Sequence, residues 1–146
     1  MSLPLIAILN GPNLNLLGQR EPEIYGHETL GDIETACQAA SAALGMAVEC
    51  RQSNCEGTLV TWVQEARHRT AGLIINPAGY TTCSVALLDA LLAYPGPVVE
   101  VHLSNIHRRE AFRTPSLISR AAQGVICGFG ARGYGLSLHA LAGLLP

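Results

Sequence analysis

The stretch Leu5-Ile6-Ala7-Ile8-Leu9-Asn10-Gly11-Pro12-Asn13-Leu14-Asn15 sets an unbroken apolar run against an abrupt polar turn. Consecutive apolar residues leave no polar face, as expected of a strand covered on both sides, and the Gly-Pro pair just beyond stops any helix. Similar short runs recur at 47–51, 73–75, 98–101 and 125–127. Segments of helical period separate them. The first begins at Thr29, with Asp32 placed to close a capping box, carries Leu30, Ile33, Cys37, Ala40 and Leu44 on one face, and stops at Gly45. Further helices are predicted over 57–68, over 84–93 ahead of Pro95-Gly96-Pro97, and over 134–145. Between the fourth and fifth apolar runs the pattern breaks. There 108–112 predicts one or two turns, and a short helix is expected after Pro115.

This alternation predicts an α/β fold: a flavodoxin-like, doubly wound, five-stranded parallel sheet in a single domain over 1–146. A chain of 146 residues, 49% hydrophobic and 14% charged, has enough apolar surface for one full core. All nine basic residues of the Lys+Arg count are arginines, so no lysine is present to form an imine or a Walker-type phosphate site. The net charge of −2 and the dispersed arginines offer no basic stripe for nucleic acid. The opening residues lack a basic leader, and their apolar run is far too short to span a membrane, so a cytoplasmic protein acting on a small molecule is expected. Five cysteines (37, 50, 55, 83 and 127), with no C-x-x-C pair, predict reduced thiols rather than disulfides or a zinc cage.

In folds of this type ligands sit beyond the carboxyl ends of the strands. Strand one runs into Asn10 to Asn15 and about 13 further residues before the helix, long enough for a lid over 18–26. Strand two ends in Gln52-Ser53-Asn54, strand three in Asn76-Pro77-Ala78-Gly79-Tyr80 and strand four in His102-Leu103-Ser104-Asn105. Such residues also occur in turns for backbone reasons alone. Four polar ends on one rim beside a long loop nonetheless point to a polar small-molecule pocket.

Glu100 and His102 stand two residues apart on a strand, so both face the same way and the carboxylate can orient the imidazole. They are the acid/base candidate, with a purely stabilising pair as the alternative. Arg113, eleven residues on from His102, is a candidate to hold a carboxylate, with an exposed helix arginine as the alternative. In the lid, Arg20 precedes Tyr25 by five residues. An ordinary phenol titrates near 10, and poising one near 7 takes roughly 4 kcal/mol of preference for the phenolate, which a guanidinium in a dry site supplies. A tyrosine that merely anchors the lid on apolar surface is the alternative. Gly128-Phe129-Gly130-Ala131-Arg132-Gly133 matches G-x-G-x-x-G, but too little chain follows for a dinucleotide site.

Taken together, Asn10-Gly11-Pro12-Asn13-Leu14-Asn15-Leu16-Leu17-Gly18, Arg20-Glu21-Pro22 with Tyr25-Gly26, Gln52-Ser53-Asn54 with Glu56-Gly57, Asn76-Pro77, Ser84-Val85-Ala86-Leu87 with Asp89-Ala90, and Glu100-Val101-His102-Leu103-Ser104-Asn105 resemble the type II 3-dehydroquinate dehydratases. The resemblance runs essentially end to end. It implies a metal-free and cofactor-free anti elimination of water from 3-dehydroquinate through an enolate, on the shikimate or quinate route. Tyr25 is implied as the base, Arg20 as its lid partner, His102 as the acid, and Glu100 and Asn76 as groups orienting the imidazole or the substrate. Asn13 is implied to hold the water that polarises the enolate oxygen. Leu103, Ser104 and Arg113 are implied to hold the substrate carboxylate, and Asp89 to reach a neighbouring subunit's site in a dodecamer built of trimers. The unrelated type I enzymes need an imine-forming lysine, which this chain lacks.

One departure from the family pattern bears on the substrate. Where the family has a substrate-contacting histidine, this sequence has Thr82, within Tyr80-Thr81-Thr82-Cys83-Ser84. Loss of one polar contact in a closed site costs about 1 to 3 kcal/mol. Two rivals therefore stand beside the dehydratase: a related enzyme on another polyhydroxy cyclic acid, and a weakly active or non-catalytic binding homologue.

Overall fold

The computed structural model describes residues 2–146. Five parallel strands, β1 (Leu5–Asn10), β2 (Ala47–Gln52), β3 (Gly72–Asn76), β4 (Val98–His102) and β5 (Gly124–Cys127), form one sheet in the order β2-β1-β3-β4-β5. This is the flavodoxin-like order expected. Alternate side chains of the inner strands feed two cores. Ile6, Ile8, Ile74, Val99 and Val101 pack on one face against α2 (Leu30–Ala43) and α5 (Arg132–Ala142), through Ile33, Cys37, Leu138 and Leu141. On the other face Ala7, Leu9, Leu73, Ile75 and Val98 meet α3 (Glu56–Ala66) and α4 (Val85–Leu92), through Leu59, Val63, Leu87 and Leu91. Because the pleat has a period of two, apolar residues on both faces require the continuous runs seen in the sequence.

The Thr29–Asp32 capping box opens α2 in both directions: Thr29 Oγ1 accepts from the Asp32 N–H, and the Asp32 carboxylate accepts from the Thr29 N–H. Ser84 caps α4, its Oγ accepting from the Leu87 N–H at 3.0 Å. Expected boundaries shift by a few residues: α5 starts at Arg132 and ends at Ala142, where 134–145 was expected. The lid contains one helical turn, α1 (Pro22–Tyr25), entered through a proline at its first position. The irregular stretch after β4 forms three short 3-10 turns, at Ile106–Arg108, Ala111–Arg113 and Ile118–Arg120, close to the turns expected over 108–112 and after Pro115. The β5 strand is a partly exposed edge, unlike the buried β3 and β4. Among the described residues no helix is long and apolar enough to cross a membrane.

Strand order reverses at β1, whose neighbours are β2 and β3, and the chain leaves β1 and β3 on opposite sides of the resulting crevice. Gly11 lies in that crevice, its N–H donating to the Asn76 carbonyl at 2.8 Å. A Cβ at Gly11 would stand 2.5 Å from the Pro77 carbonyl oxygen, so only glycine allows the two loops to approach this closely.

Candidate active site

A cavity of about 240 Å³ opens beyond the carboxyl ends of β3 and β4. Its walls include Asn13, Arg20 and Tyr25 from the loop after β1, Asn76 and Thr82 from the end of β3 and its following turn, and His102, Leu103, Ser104, Arg109 and Arg113 from β4 onward. Ten of the eleven candidate residues are thus at or directly behind one pocket. The tenth, Glu100, is wholly buried behind His102. Asp89 is the exception: it lies on the exposed side of α4, away from this chain's own cavity.

Glu100 and His102 meet as the strand spacing requires, with His102 Nε2 hydrogen-bonded to Glu100 Oε2. Burial works against a Glu100 anion, but the hydrogen bonds from His102, Ser119 and Ser116 outweigh it and hold the carboxyl below its ordinary value of 4.5. The carboxylate is therefore charged at neutral pH and turned toward the imidazole. His102 is itself only 5% exposed, so the pair works at low dielectric.

Around Tyr25 the arrangement differs from the sequence expectation. Arg20 stacks on the phenol face, its guanidinium carbon 4.7 Å from the ring centroid. The group on the hydroxyl is Arg109, whose Nη1 donates to Tyr25 Oη at 2.9 Å and also reaches Ser104 Oγ at 3.4 Å. Two guanidinium groups thus flank one phenol, one on its face and one on its oxygen. Sequence reasoning missed Arg109 because it lies in the irregular segment after β4, where no periodicity says which of Arg108, Arg109 and Arg113 points inward.

The expectation that the strand-two end lines the pocket is corrected. Gln52 Nε2 donates to the Gly11 carbonyl and to Asn54 Oδ1, both at 3.1 Å, and Asn54 Oδ1 accepts the Asn13 N–H at 3.0 Å. These amides brace the loop instead of facing the cavity. Asn13 needs the support, since it sits in the left-handed region at φ 70°. Asn76 is braced from behind: its Nδ2 donates to the Tyr134 hydroxyl at 3.0 Å, and its Oδ1 accepts the Ala78 N–H at 3.2 Å. Tyr134 in turn donates to Asn10 Oδ1 at 2.5 Å. Burial pushes the Tyr134 phenol well above its usual range, so it stays a neutral donor. Arg113 Nε pairs with Glu110 Oε2 at 2.6 Å at the cavity mouth.

A doubly wound sheet with one cavity lined by both the imidazole of a buried carboxylate–imidazole pair and an arginine-flanked phenol defines an α/β protein equipped for acid–base chemistry on a small anionic molecule. The family model described as "Dehydroquinase class II" matches residues 4–142, and the chain belongs to that family. It is 59% identical over 137 residues to 3-dehydroquinate dehydratase 1 of Agrobacterium fabrum, covering 94% of each chain. It is 58% identical to 3-dehydroquinate dehydratase 2 of Pseudomonas aeruginosa, covering 94% of this chain and 93% of that one. Among solved structures, the type II dehydroquinase of Propionibacterium acnes superimposes with a TM-score of 0.93 at 40% identity, over 97% of this chain and 98% of the other.

Proposed function

We propose that the chain removes water from 3-dehydroquinate by anti elimination, with Tyr25 as base and His102 as acid. The observation that carries this reading is the presence, in the wall of one cavity, of both an arginine-held phenol oxygen and a carboxylate-held imidazole. Tyr25, ionised, takes the proton from C2; the electron pair left behind forms an enolate, whose oxygen is polarised through a water held by Asn13. Collapse of the enolate makes the C1–C2 double bond and expels the C1 hydroxyl, which leaves as water on receiving a proton from His102. Glu100 stabilises the imidazolium that delivers that proton. With Nε2 engaged by Glu100, the imidazole exchanges its proton with substrate through Nδ1.

Leu103, Ser104 and Arg113 hold the substrate carboxylate, and Asn76 and Thr82 the ring hydroxyls. Support for the first role comes from the cation at the mouth, where a carboxylate would exchange with Glu110 for the Arg113 guanidinium. The chain acts as a homo-oligomer, a dodecamer of trimers, in which Asp89 completes a neighbour's site. Val85, Asp89 and Leu92 follow one another at helical spacing on the exposed stripe of α4, and Val85 and Leu92 are 58% and 59% exposed, which supports burial of this face against another copy. Five free cysteines are in keeping with the reducing cytoplasm.

The test is direct mixing with 3-dehydroquinate, followed by enone absorbance. A rising signal proportional to protein is expected, and a flat trace would reject the reading. Thr82 in the cavity wall favours one second reading, a related polyhydroxy cyclic acid as substrate. A chain silent toward 3-dehydroquinate, and not rescued by Thr82→His, would support that alternative.

A further inference from the structure

We propose that the hydroxyls of Ser116 and Ser119 are positioning residues of the acid site, fixing both oxygens of the buried Glu100 carboxylate so that one faces His102 Nε2. The inference rests on the reading of Glu100 and His102 as the acid pair, and it starts from an accounting of the carboxylate's partners. Ser116 Oγ donates to Glu100 Oε2 at 2.8 Å, the oxygen that also meets His102, and Ser119 Oγ donates to Oε1 at 2.6 Å. Glu100 is 0% exposed, so bulk water does not reach this charge. Without the two hydroxyls, Oε1 would have no donor and the carboxyl would gain by taking a proton or rotating away from the imidazole.

The direction of each hydroxyl is set locally. Ser116 Oγ accepts the Ser119 N–H at 3.2 Å, which leaves its own proton for Glu100. The segment that carries both serines is anchored twice: Ile118, fully buried, packs in the core beside Leu87 and Leu91, and the Leu117 N–H donates to the Thr81 carbonyl at 2.9 Å. Thr81 precedes Thr82 in the cavity wall, so the clamp and the substrate wall share one support. The choice of hydroxyls has a chemical reason. An arginine in the same place would hold the anion equally well but would cancel its charge, and with it the pull on a protonated imidazole; a neutral donor fixes the carboxylate and leaves that pull intact. Among the described residues, His102 is the only titratable side chain within hydrogen-bond or ion-pair distance of the Glu100 carboxylate.

The experiment follows the Glu100 carboxyl by carbon NMR on protein labelled at glutamate, assigned with Glu100→Gln, in the full chain and in Ser119→Ala and Ser116→Ala. Loss of a hydrogen bond to a charged group should raise the Glu100 titration by about one to two pH units in each variant. With 3-dehydroquinate, kcat should fall about tenfold or more in Ser119→Ala while KM stays within about twofold, because no substrate contact is touched. Ser119→Thr should restore both readouts. A Glu100 titration unmoved in both alanine variants would overturn the proposal, and so would a moved titration with undiminished kcat. Should Ser119→Ala not fold, Ser119→Cys keeps the volume with a weaker donor and must still raise the titration. The NMR readout needs no turnover, so a native chain inactive on 3-dehydroquinate would defeat the proposed reaction while the clamp is judged by the titration.

Discussion

Replacing Arg109 by methionine removes the guanidinium on the Tyr25 hydroxyl while keeping an apolar stem of similar length. The Arg109 side chain is only 12% exposed, so water screens the contact weakly, and its 2.9 Å hydrogen bond strengthens as the phenol oxygen becomes an anion. A hydrogen bond to a charged group is worth about 1.5 to 3 kcal/mol, which corresponds to a loss of roughly 10- to 150-fold in kcat/KM for Arg109→Met. Arg20 keeps some of the effect, because its guanidinium still lies over the ring. Both arginines act on one phenol, one over its ring and one on its oxygen, so the losses in Arg20→Met, Arg109→Met and the double variant should not add. The assay is initial rate of enone formation against 3-dehydroquinate concentration, with thermal unfolding as a control for the fold. Arg109→Met retaining kcat/KM within twofold, in a variant that melts like the parent, would refute the assignment and return the whole task to the lid arginine.

Tyr25→Phe should abolish nearly all turnover while a ligand still binds by calorimetry; a tenth of the parental rate would mean that the base is another group. Tyr134→Phe strands the Oδ1 of Asn10 and the Nδ2 of Asn76 in a buried position, at a cost of about 1 to 3 kcal/mol each, and should lower the urea midpoint with an unchanged m-value. Glu100 is held below 4.5, so its charge stabilises the fold above the ordinary carboxylate range, and this contribution disappears as pH falls through the lowered value. Unfolding free energy should therefore decline on acidification, and Glu100→Gln should flatten that decline.

What could be read from the sequence, and what could not, divides along a physical line. Strand runs, the capping box and the Glu100–His102 pairing depend on local periodicity, and each of these formed as the spacing required. Arg109, Ser116 and Ser119 escape such reasoning, because they lie between β4 and β5 in 3-10 turns and connecting residues whose directions are set by distant anchors such as Ile118 and Thr81.

The same division explains why three of the four polar strand ends reach the cavity while the end of β2 does not. A strand fixes which face its last side chain takes, and Asn76 and His102 accordingly arrive at the cavity. It does not fix how that side chain spends its hydrogen bonds. Gln52 ends β2 with the same polarity as Asn76, yet β2 is the outermost strand on the far side of β1, separated by that strand from β3 and β4, beyond whose ends the cavity opens. At that distance its amide is worth more to the Gly11 carbonyl, which has a buried acceptor to satisfy, than to a cavity it does not line. The role of a strand-end side chain in this fold thus depends on which side of the β1–β3 crevice its strand lies relative to the cavity, a quantity visible only once the sheet is assembled.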